Sequence, residues 1–324
     1  MTRVLIIGGG GMVGQKLAHL LARDGLDGTA PDVALFDMGF PNESAPGRQI
    51  RGNLTDQVAM TRLANEQFDV IFHLAAIVSG EAETDFDKGW SVNMMSMWHI
   101  LEALRAEHVQ SDGAYVPRLV FTSSIAVFGG PYPEKISDTF LSAPQTSYGA
   151  QKAVSELMLS DFSRKGFVDG LSLRLPTICV RPGKANLAAS SFFSGIIREP
   201  LNGQEAILPV PDSIRHWHAS PKAAAGFLRH AATLDTDRLE GRRALNLPGL
   251  SCTVAEQIEA LRRIAGQKAV DLIVPRPDAD IMRIVEGWPR NFQPDRAIDL
   301  GFKAETTFVE IIQTYIADDL NAGS

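Results

Sequence analysis

An α/β fold is predicted, a doubly wound parallel sheet followed by a smaller C-terminal α/β lobe, and three observations predict it. The 324-residue chain opens on an apolar run, Val4-Leu5-Ile6-Ile7, without the polar alternation of a half-exposed strand. That run passes through Gly8-Gly9-Gly10-Gly11 into a helical pattern with Val13, Leu17, Leu20 and Leu21 on one face. Short apolar runs then alternate with helix-length amphipathic stretches to about residue 180, the order of a βαβ sheet.

Gly8, Gly11 and Gly14 stand three apart. A missing Cβ at each allows a tight turn, close approach of backbone N–H groups to a pyrophosphate, and close packing of helix on strand. The helix N-terminus adds unpaired amides and partial positive charge for the anion. A second strand, Val33-Ala34-Leu35-Phe36, ends at Asp37, 23 residues beyond Gly14. An acid there suits a ribose diol and repels a 2′-phosphate, so the cofactor expected is NAD rather than NADP. Met38, Gly39 and Phe40 follow without a cation, which agrees.

Pro41 to Gly47 reads as a surface loop, Ile50 to Leu54 as a third strand, and Thr55 to Asn65 as a helix. Asp69 to Leu74 is a buried strand ending in Ala75-Ala76, small enough to pass beneath a dinucleotide; His73 within it reads as a packed core histidine. Residues 87–108 form one long helix pattern, apolar on more than one face, as expected if a second subunit covers part of it. Leu119 to Ser124 is a strand with serines at its carboxyl end, the edge where ligands bind. A Pro-rich loop follows Phe128-Gly129-Gly130, and Thr146-Ser147-Tyr148 opens a helix containing Lys152. Leu171 to Val180 is a further strand, and Pro221 to Leu234 a helix returning to the sheet. The expected division is therefore a dinucleotide-binding domain of residues 1–181 plus about 219–249, and a substrate lobe of 182–218 plus about 250–324.

Composition narrows the partners. The net charge is −7 with both signs mixed and no basic block, which disfavours nucleic acid and anionic membrane. Two cysteines, Cys179 and Cys252, do not make a disulfide framework and fit a reducing cytoplasm. No apolar run reaches about 18 residues, and the chain enters a strand at once, so neither a membrane span nor a leader is expected. No cysteine or acid completes a metal set around His216 and His218, and no metal is expected.

Ser124, Tyr148 and Lys152 carry the chemistry of this reading. Tyr148 and Lys152 are four apart and share a helix face. A phenol with pKa near 10 is a poor base at neutral pH, and lowering it by about 3 units takes roughly 4 kcal/mol. One ammonium about 4 Å away, at an effective dielectric of about 20, supplies on the order of 4 kcal/mol. Tyr148 can then take a proton from an alcohol while Ser124 holds the same oxygen and stabilises its developing charge.

Gly8-x-x-Gly11-x-x-Gly14, Asp37, Ser124-Ile125-Ala126-Val127-Phe128-Gly129 and Tyr148-Gly149-Ala150-Gln151-Lys152 occur in order over most of the chain. In this the sequence resembles the extended short-chain dehydrogenase/reductase family of nucleotide-sugar epimerases, dehydratases and dehydrogenases. The resemblance implies a Rossmann-type domain holding NAD, with cofactor contacts at Gly8, Gly11, Met12, Val13, Asp37, Asn53, Leu54, Ala75, Ala76, Asn93, Tyr148, Lys152 and Pro176. It implies catalysis by Ser124, Tyr148 and Lys152, and a homodimer or higher homo-oligomer built on the helices starting near Asp87 and Ser147. Asn93 matches the family's asparagine that shapes the fourth helix, and Gly52-Asn53-Leu54 its adenine contact, with Asn for Asp.

Departures from the pattern narrow the activity. Sugar 4,6-dehydratases carry an Asp-Glu pair where this chain has Ile125-Ala126, which cannot exchange protons, so that class is set aside. Thr177 replaces an asparagine, and Arg181-Pro182-Gly183-Lys184-Ala185-Asn186 with Ser190-Ser191-Phe192 replaces the nucleotide-recognition run. In this stretch the chain resembles the family's dehydrogenases of small sugar acids, which implies a small sugar acid as substrate, and its carboxylate needs cations or convergent donors. The candidates are Ser79, Ser124, Tyr148, Thr177, Arg181, Lys184, Asn186, Ser190 and Arg215, with Arg174 read as structural. Nucleotide-sugar epimerisation with tightly held NAD is the alternative. A cofactor sensor without catalysis is disfavoured by the Tyr/Lys pair.

Overall fold

A computed structural model describes residues 1–183 and 189–320. In chain order its strands are β1 Arg3–Ile7, β2 Asp32–Asp37, β3 Arg48–Arg51, β4 Val70–His73, β5 Arg118–Ser124, β6 Ile136–Ser137 and β7 Asp169–Leu175. There follow β8 Thr177–Ile178, β9 Ala206–Leu208, β10 Arg215–Ala219, β11 Ala244–Asn246, β12 Leu250–Thr253, β13 Ile273–Pro275 and β14 Phe292–Gln293. The helices that matter below are α1 Met12–Asp24, α2 Gln57–Asn65, α3 Ser79–Thr84, α4 Phe86–Trp90, α5 Ser96–Gln110, α6 Ser147–Arg164, α7 Ser191–Leu201, α8 Pro221–Thr233 and α9 Val254–Ala265.

Two compact units emerge. The first comprises Met1–Val127, Pro144–Leu175 and Ala225–Asn246; the second comprises Phe128–Ala143, Pro176–Ala224 and Leu247–Ser324. The sequence reading placed the first crossing at residue 181 and gave the Pro-rich loop to the first domain.

The first unit is built on a seven-stranded sheet in the order β11-β7-β5-β4-β1-β2-β3, with every neighbouring pair parallel. This is the doubly wound α/β arrangement that the sequence predicts. The chain winds outward from β1 through β2 to β3, then restarts at β4 and winds the other way. The carboxyl ends of β1 and β4 therefore flank the switch in winding direction, where such sheets leave a crevice. Val4 to Ile7 are all fully buried, which is why that strand reads as continuously apolar. Leu5, Ile7, Phe36, Met60, Ile71, Leu101 and Phe121 belong to one apolar core.

Three predicted elements are redrawn. The third strand is Arg48–Arg51 rather than 50–54; Asp56 instead caps α2, accepting hydrogen bonds from Val58 and Ala59. The long helix over 87–108 is α4 and α5 joined by a π-helical turn, Ser91–Met95. The run Leu171 to Val180 is two strands in different sheets. Pro176 has no N–H for the ladder, so β7 stops at Leu175 and β8 pairs with β10.

The second unit holds a three-stranded sheet β12-β10-β8 and the pairs β13-β9 and β14-β6. Its separate core includes Phe193, Ile196, Ile197, Leu208, Val254, Leu261, Ile311 and Ile312. The pairing of Ile136 and Ser137 with Phe292 and Gln293 is what draws residues 128–143 into this unit. Two short strands from segments over 150 residues apart carry no periodicity for sequence reasoning to find.

Candidate active site

The glycine turn is dictated by backbone packing. Gly8 has φ +92°, and a Cβ there would stand 2.7 Å from Ala75 N. A Cβ on Gly10 would be 2.0 Å from Gly39 O, and one on Gly14 2.3 Å from Gly8 O. Gly11 differs: its Cβ would meet Gly8 O at 3.4 Å, an ordinary contact. The protein's own packing thus demands Gly8, Gly10 and Gly14, whereas Gly11 spares room at the N-terminus of α1. Gly11 is the N-cap of that helix and offers no side-chain cap, so Met12 and Val13 stand in a first turn with amides for an anion.

Asp37 ends β2 beside this turn and accepts from Gly10 N at 3.0 Å. Asn53 follows β3, its Oδ1 accepting from Thr55 N at 3.0 Å, and Leu54 is buried in the core. Ala75 follows β4, its N donating to Ile7 O at 3.1 Å, with Ala76 next. Asn93 lies buried in the π-helical turn. Its Oδ1 accepts from Ile77 N at 2.8 Å and its Nδ2 donates to Gln151 Oε1 at 2.8 Å. Asn93 thereby ties the chain after Ala76 to α6.

Ser124 terminates β5, and its Oγ accepts from Ala126 N at 3.1 Å. Thr146 caps α6 through Gly149 N at 3.1 Å, which puts Tyr148 in the first turn. A Cβ on Gly149 would come within 2.1 Å of Ala126 O. Only a glycine after Tyr148 lets the start of α6 press on the turn that follows Ser124.

Lys152, one helical turn on, is buried. Its Nζ donates to Thr122 O at 2.8 Å and lies 4.6 Å from the Phe121 ring centroid and 5.6 Å from that of Tyr148. The ammonium therefore lies within cation–π reach of both aromatic rings, nearer Phe121 than Tyr148. Burial pushes the Lys152 pKa down to about 7, and the Glu156 carboxylate pulls it back up. Burial drives His73 to about 3, with Lys152 adding to the effect; it is the packed neutral histidine expected, edge-on to Phe121.

The remaining sequence-predicted residues divide between the units. Ser79 starts α3 in the first unit. Pro176, Thr177, Arg181, Ser190 and Arg215 belong to the second. Thr177 Oγ1 and His216 Nε2 lie 2.6 Å apart. Arg181 donates to Ile178 O at 3.1 Å and to Ser190 Oγ at 2.8 Å, so these two substrate candidates bond each other. Ser191 begins α7. Lys184 and Asn186 lie outside the described residues. Arg215 donates to Ser251 O at 3.0 Å and pairs with Glu256 at 3.3 Å. It lines a cavity of about 680 Å³ in the second unit together with Tyr132, Glu134, Ser251, Arg290 and Asn291.

The family model whose description is NAD dependent epimerase/dehydratase family matches residues 4–239. The chain belongs to that family. A D-erythronate dehydrogenase of Cupriavidus necator is 45% identical over 323 residues, spanning 97% of this chain and 98% of its own. A D-erythronate dehydrogenase of Haemophilus influenzae is 41% identical over 322 residues, 98% of this chain and 100% of its own. Among solved structures, a nucleoside-diphosphate-sugar epimerase from Agrobacterium tumefaciens superposes with TM-score 0.94 at 54% identity, covering 99% of this chain and 95% of that one.

For a member of an NAD-dependent family, the first unit has the features the cofactor requires. Gly11 leaves space before an uncapped helix start, and a carboxylate stands at the end of β2. Among the described residues no cluster of histidine, cysteine and acid could hold a metal, and no helix is long and apolar enough to cross a membrane. Sequence reasoning missed Gln151, the buried partner of Asn93, and Arg290, whose place in the cavity depends on a segment some 75 residues from Arg215. Neither carries a local pattern that would have pointed to it.

Proposed function

We propose that this chain oxidises D-erythronate at its C2 hydroxyl to 2-dehydro-D-erythronate, with NAD as cofactor and Tyr148 as base. The observation that carries the reading is the Lys152 ammonium held against the Tyr148 ring at the carboxyl edge of the sheet. Two full-length relatives named D-erythronate dehydrogenase supply the substrate. NAD, when bound, provides the acceptor for the hydride leaving C2. The residues that would hold it are Gly8, Gly11, Met12, Val13, Asp37, Asn53, Leu54, Ala75, Ala76, Asn93 and Pro176, together with Tyr148 and Lys152.

Tyr148 takes the proton of the C2 hydroxyl, and Ser124 donates a hydrogen bond to the oxygen as its charge develops. Lys152 favours the phenolate by Coulomb attraction across a dry environment. The acid's carboxylate is proposed to meet cations or convergent donors, Arg215 among them. Ser79, Thr177, Arg181 and Ser190, with Lys184 and Asn186, complete the proposed substrate set. Ile125 is buried and Ala126 donates its amide to Ser124, so the two positions contribute packing and a backbone donor instead of proton exchange.

The test is a screen of four-carbon sugar acids with free NAD, followed by NADH absorbance. D-Erythronate is expected to give steady NADH accumulation, and silence across the series would sink the reading. The 54% identical solved structure bears an epimerase name, which favours the second reading of a nucleotide-sugar epimerase. That reading requires turnover of a UDP-hexose with NAD retained through purification and no net NADH.

The protein is further proposed to work in the cytoplasm as a homodimer joined through α4, α5 and α6. Phe86, Met95, Trp98 and Leu157 are large apolar side chains exposed on this part of the first unit. Sedimentation is expected to give twice the 35.2 kDa chain mass, and Leu157→Glu to shift it toward the monomer. A wild-type monomer at micromolar concentration would refute the dimer.

A further inference from the structure

Glu156 is nearly as buried as the lysine it follows by one helical turn, and it is heavily bonded. Ser123 Oγ donates to its Oε1 at 2.5 Å, and Arg174 reaches it from β7 through Nε at 3.0 Å and Nη2 at 2.7 Å. Arg174 Nη1 also donates to Asn246 on β11 at 3.2 Å. The Glu156 carboxylate thus ties α6 to β5, at the residue before Ser124, and to β7, and Arg174 carries the network on to β11. A buried network of this kind is often no more stabilising than apolar packing of the same volume.

Resting on the reading of Tyr148 as base, we propose that Glu156, oriented by Arg174, is a positioning residue that keeps the Lys152 ammonium charged and so acts on Tyr148 through that lysine. Spacing along α6 supports the indirect route. Glu156 is one turn, about 6 Å of rise, from Lys152, but two turns, about 12 Å, from Tyr148. Without a carboxylate beside it, a buried amine sheds its proton, as the downward shift of Lys152 already indicates.

Most other ionisable groups on the elements packed around α6 are engaged elsewhere or neutral. His73 on β4 is held neutral by burial. Glu81 on α3 pairs with Lys88 on α4, and Glu83 accepts from Ser147 N. Asp85 caps α4, and Asp87 is exposed. On α5, Glu102 pairs with Arg105, Glu107 accepts from Gln67, His108 Nδ1 meets Tyr115 O, and His99 is half-buried. Asp169 on β7 pairs with Arg118 and Arg243, and Asp161 on α6 itself with Arg164.

The sign of one titration decides the matter. Burial raises the pKa of Tyr115, that of Tyr132 to about 12, and that of Tyr315 as well. With four tyrosines in the chain, a phenolate that appears in the near ultraviolet ahead of these three is assigned to Tyr148 by its loss in Tyr148→Phe. The measurement uses the full chain without NAD or substrate. Direct repulsion by Glu156 would make Glu156→Gln lower the Tyr148 midpoint; action through Lys152 makes the same variant raise it. The expected result is a rise of about one pH unit, a roughly tenfold loss of phenolate at neutral pH. Arg174→Lys keeps both charges and is expected to leave the midpoint in place. If Glu156→Gln alone fails to fold, Glu156→Gln with Arg174→Gln removes the unpaired cation and should still show the rise. A midpoint that falls or stays put in the folded variants, or moves equally in Arg174→Lys, overturns the proposal. Failure of the base reading has a different signature, namely normal turnover in Tyr148→Phe.

Discussion

Tyr148→Phe is expected to lower turnover by about 10²–10⁴-fold while leaving NAD affinity within a few-fold of wild type. The substitution removes one hydroxyl and keeps the ring that faces the Lys152 ammonium. Lys152 retains its bond to Thr122 O, and Thr146 still caps α6, so neither the glycine turn nor Asp37 is disturbed. What is lost is the group that takes the substrate proton. Steady-state rates with D-erythronate, set beside NAD titration by calorimetry, separate the two quantities. Near-normal turnover would remove Tyr148 from the mechanism, and with it the role given to Lys152.

Acid should destabilise this protein well before its carboxylates protonate, with the slope set by three buried histidines. Burial holds His73 and His216 near pKa 3, and His218 well below the ordinary value, with His216 contributing to the last. Both ring nitrogens of His73, and Nδ1 of His216 and His218, have no hydrogen-bond partner among the described residues. The unfolded chain binds protons at these sites below about pH 6.5, whereas the folded chain does not. Stability therefore rises with pH across this window: it is fully present above about 6.5 and falls as pH drops toward 3. Each histidine contributes roughly 1.4 kcal/mol per pH unit, about 4 kcal/mol per unit for the three. Urea midpoints at intervals from pH 7 to pH 4.5 should show this dependence, and His73→Leu should reduce the slope by about a third. A flat profile over that range would contradict the burial assigned to these rings.

His216 and His218 also show how tertiary structure recasts a sequence pattern. Two histidines flanking Trp217 on a strand invite a metal reading, which the sequence analysis set aside for want of further ligands. In the second unit His216 stacks on Phe193 at 5.2 Å with rings 3° from parallel, and His218 meets Gln257 Nε2 at 3.0 Å. They serve as aromatic core residues.

Much of the first unit was legible because its signals are local. Val4 to Ile7 reads as a buried strand from hydrophobicity alone, and a glycine turn must follow where backbone meets backbone. The same holds for Asp37 at a strand end and for Tyr148 and Lys152 at one-turn spacing, since a strand's or helix's geometry converts spacing directly into direction. The sequence pointed to Gly8, Gly11 and Gly14; backbone contacts leave no room for a Cβ at Gly8 and Gly14, and none at Gly10, which the spacing did not single out.

Other features depend on segments far apart in the chain, and only the folded structure decides them. The break at Pro176, the capture of residues 128–143 by β14, and the meeting of Arg215 with Arg290 are all of this kind. So is the buried carboxylate of Glu156, which in sequence is one more acid on a helix and in the fold is bonded to two strands beside the lysine. Sequence by itself determined the parallel sheet, the glycine turn and the order of the reactive groups, because each rests on backbone geometry within a few residues. Which charges are dry, and which cations face a common cavity, was decided by tertiary packing, because desolvation depends on every neighbour that excludes water and not on the chain's own spacing.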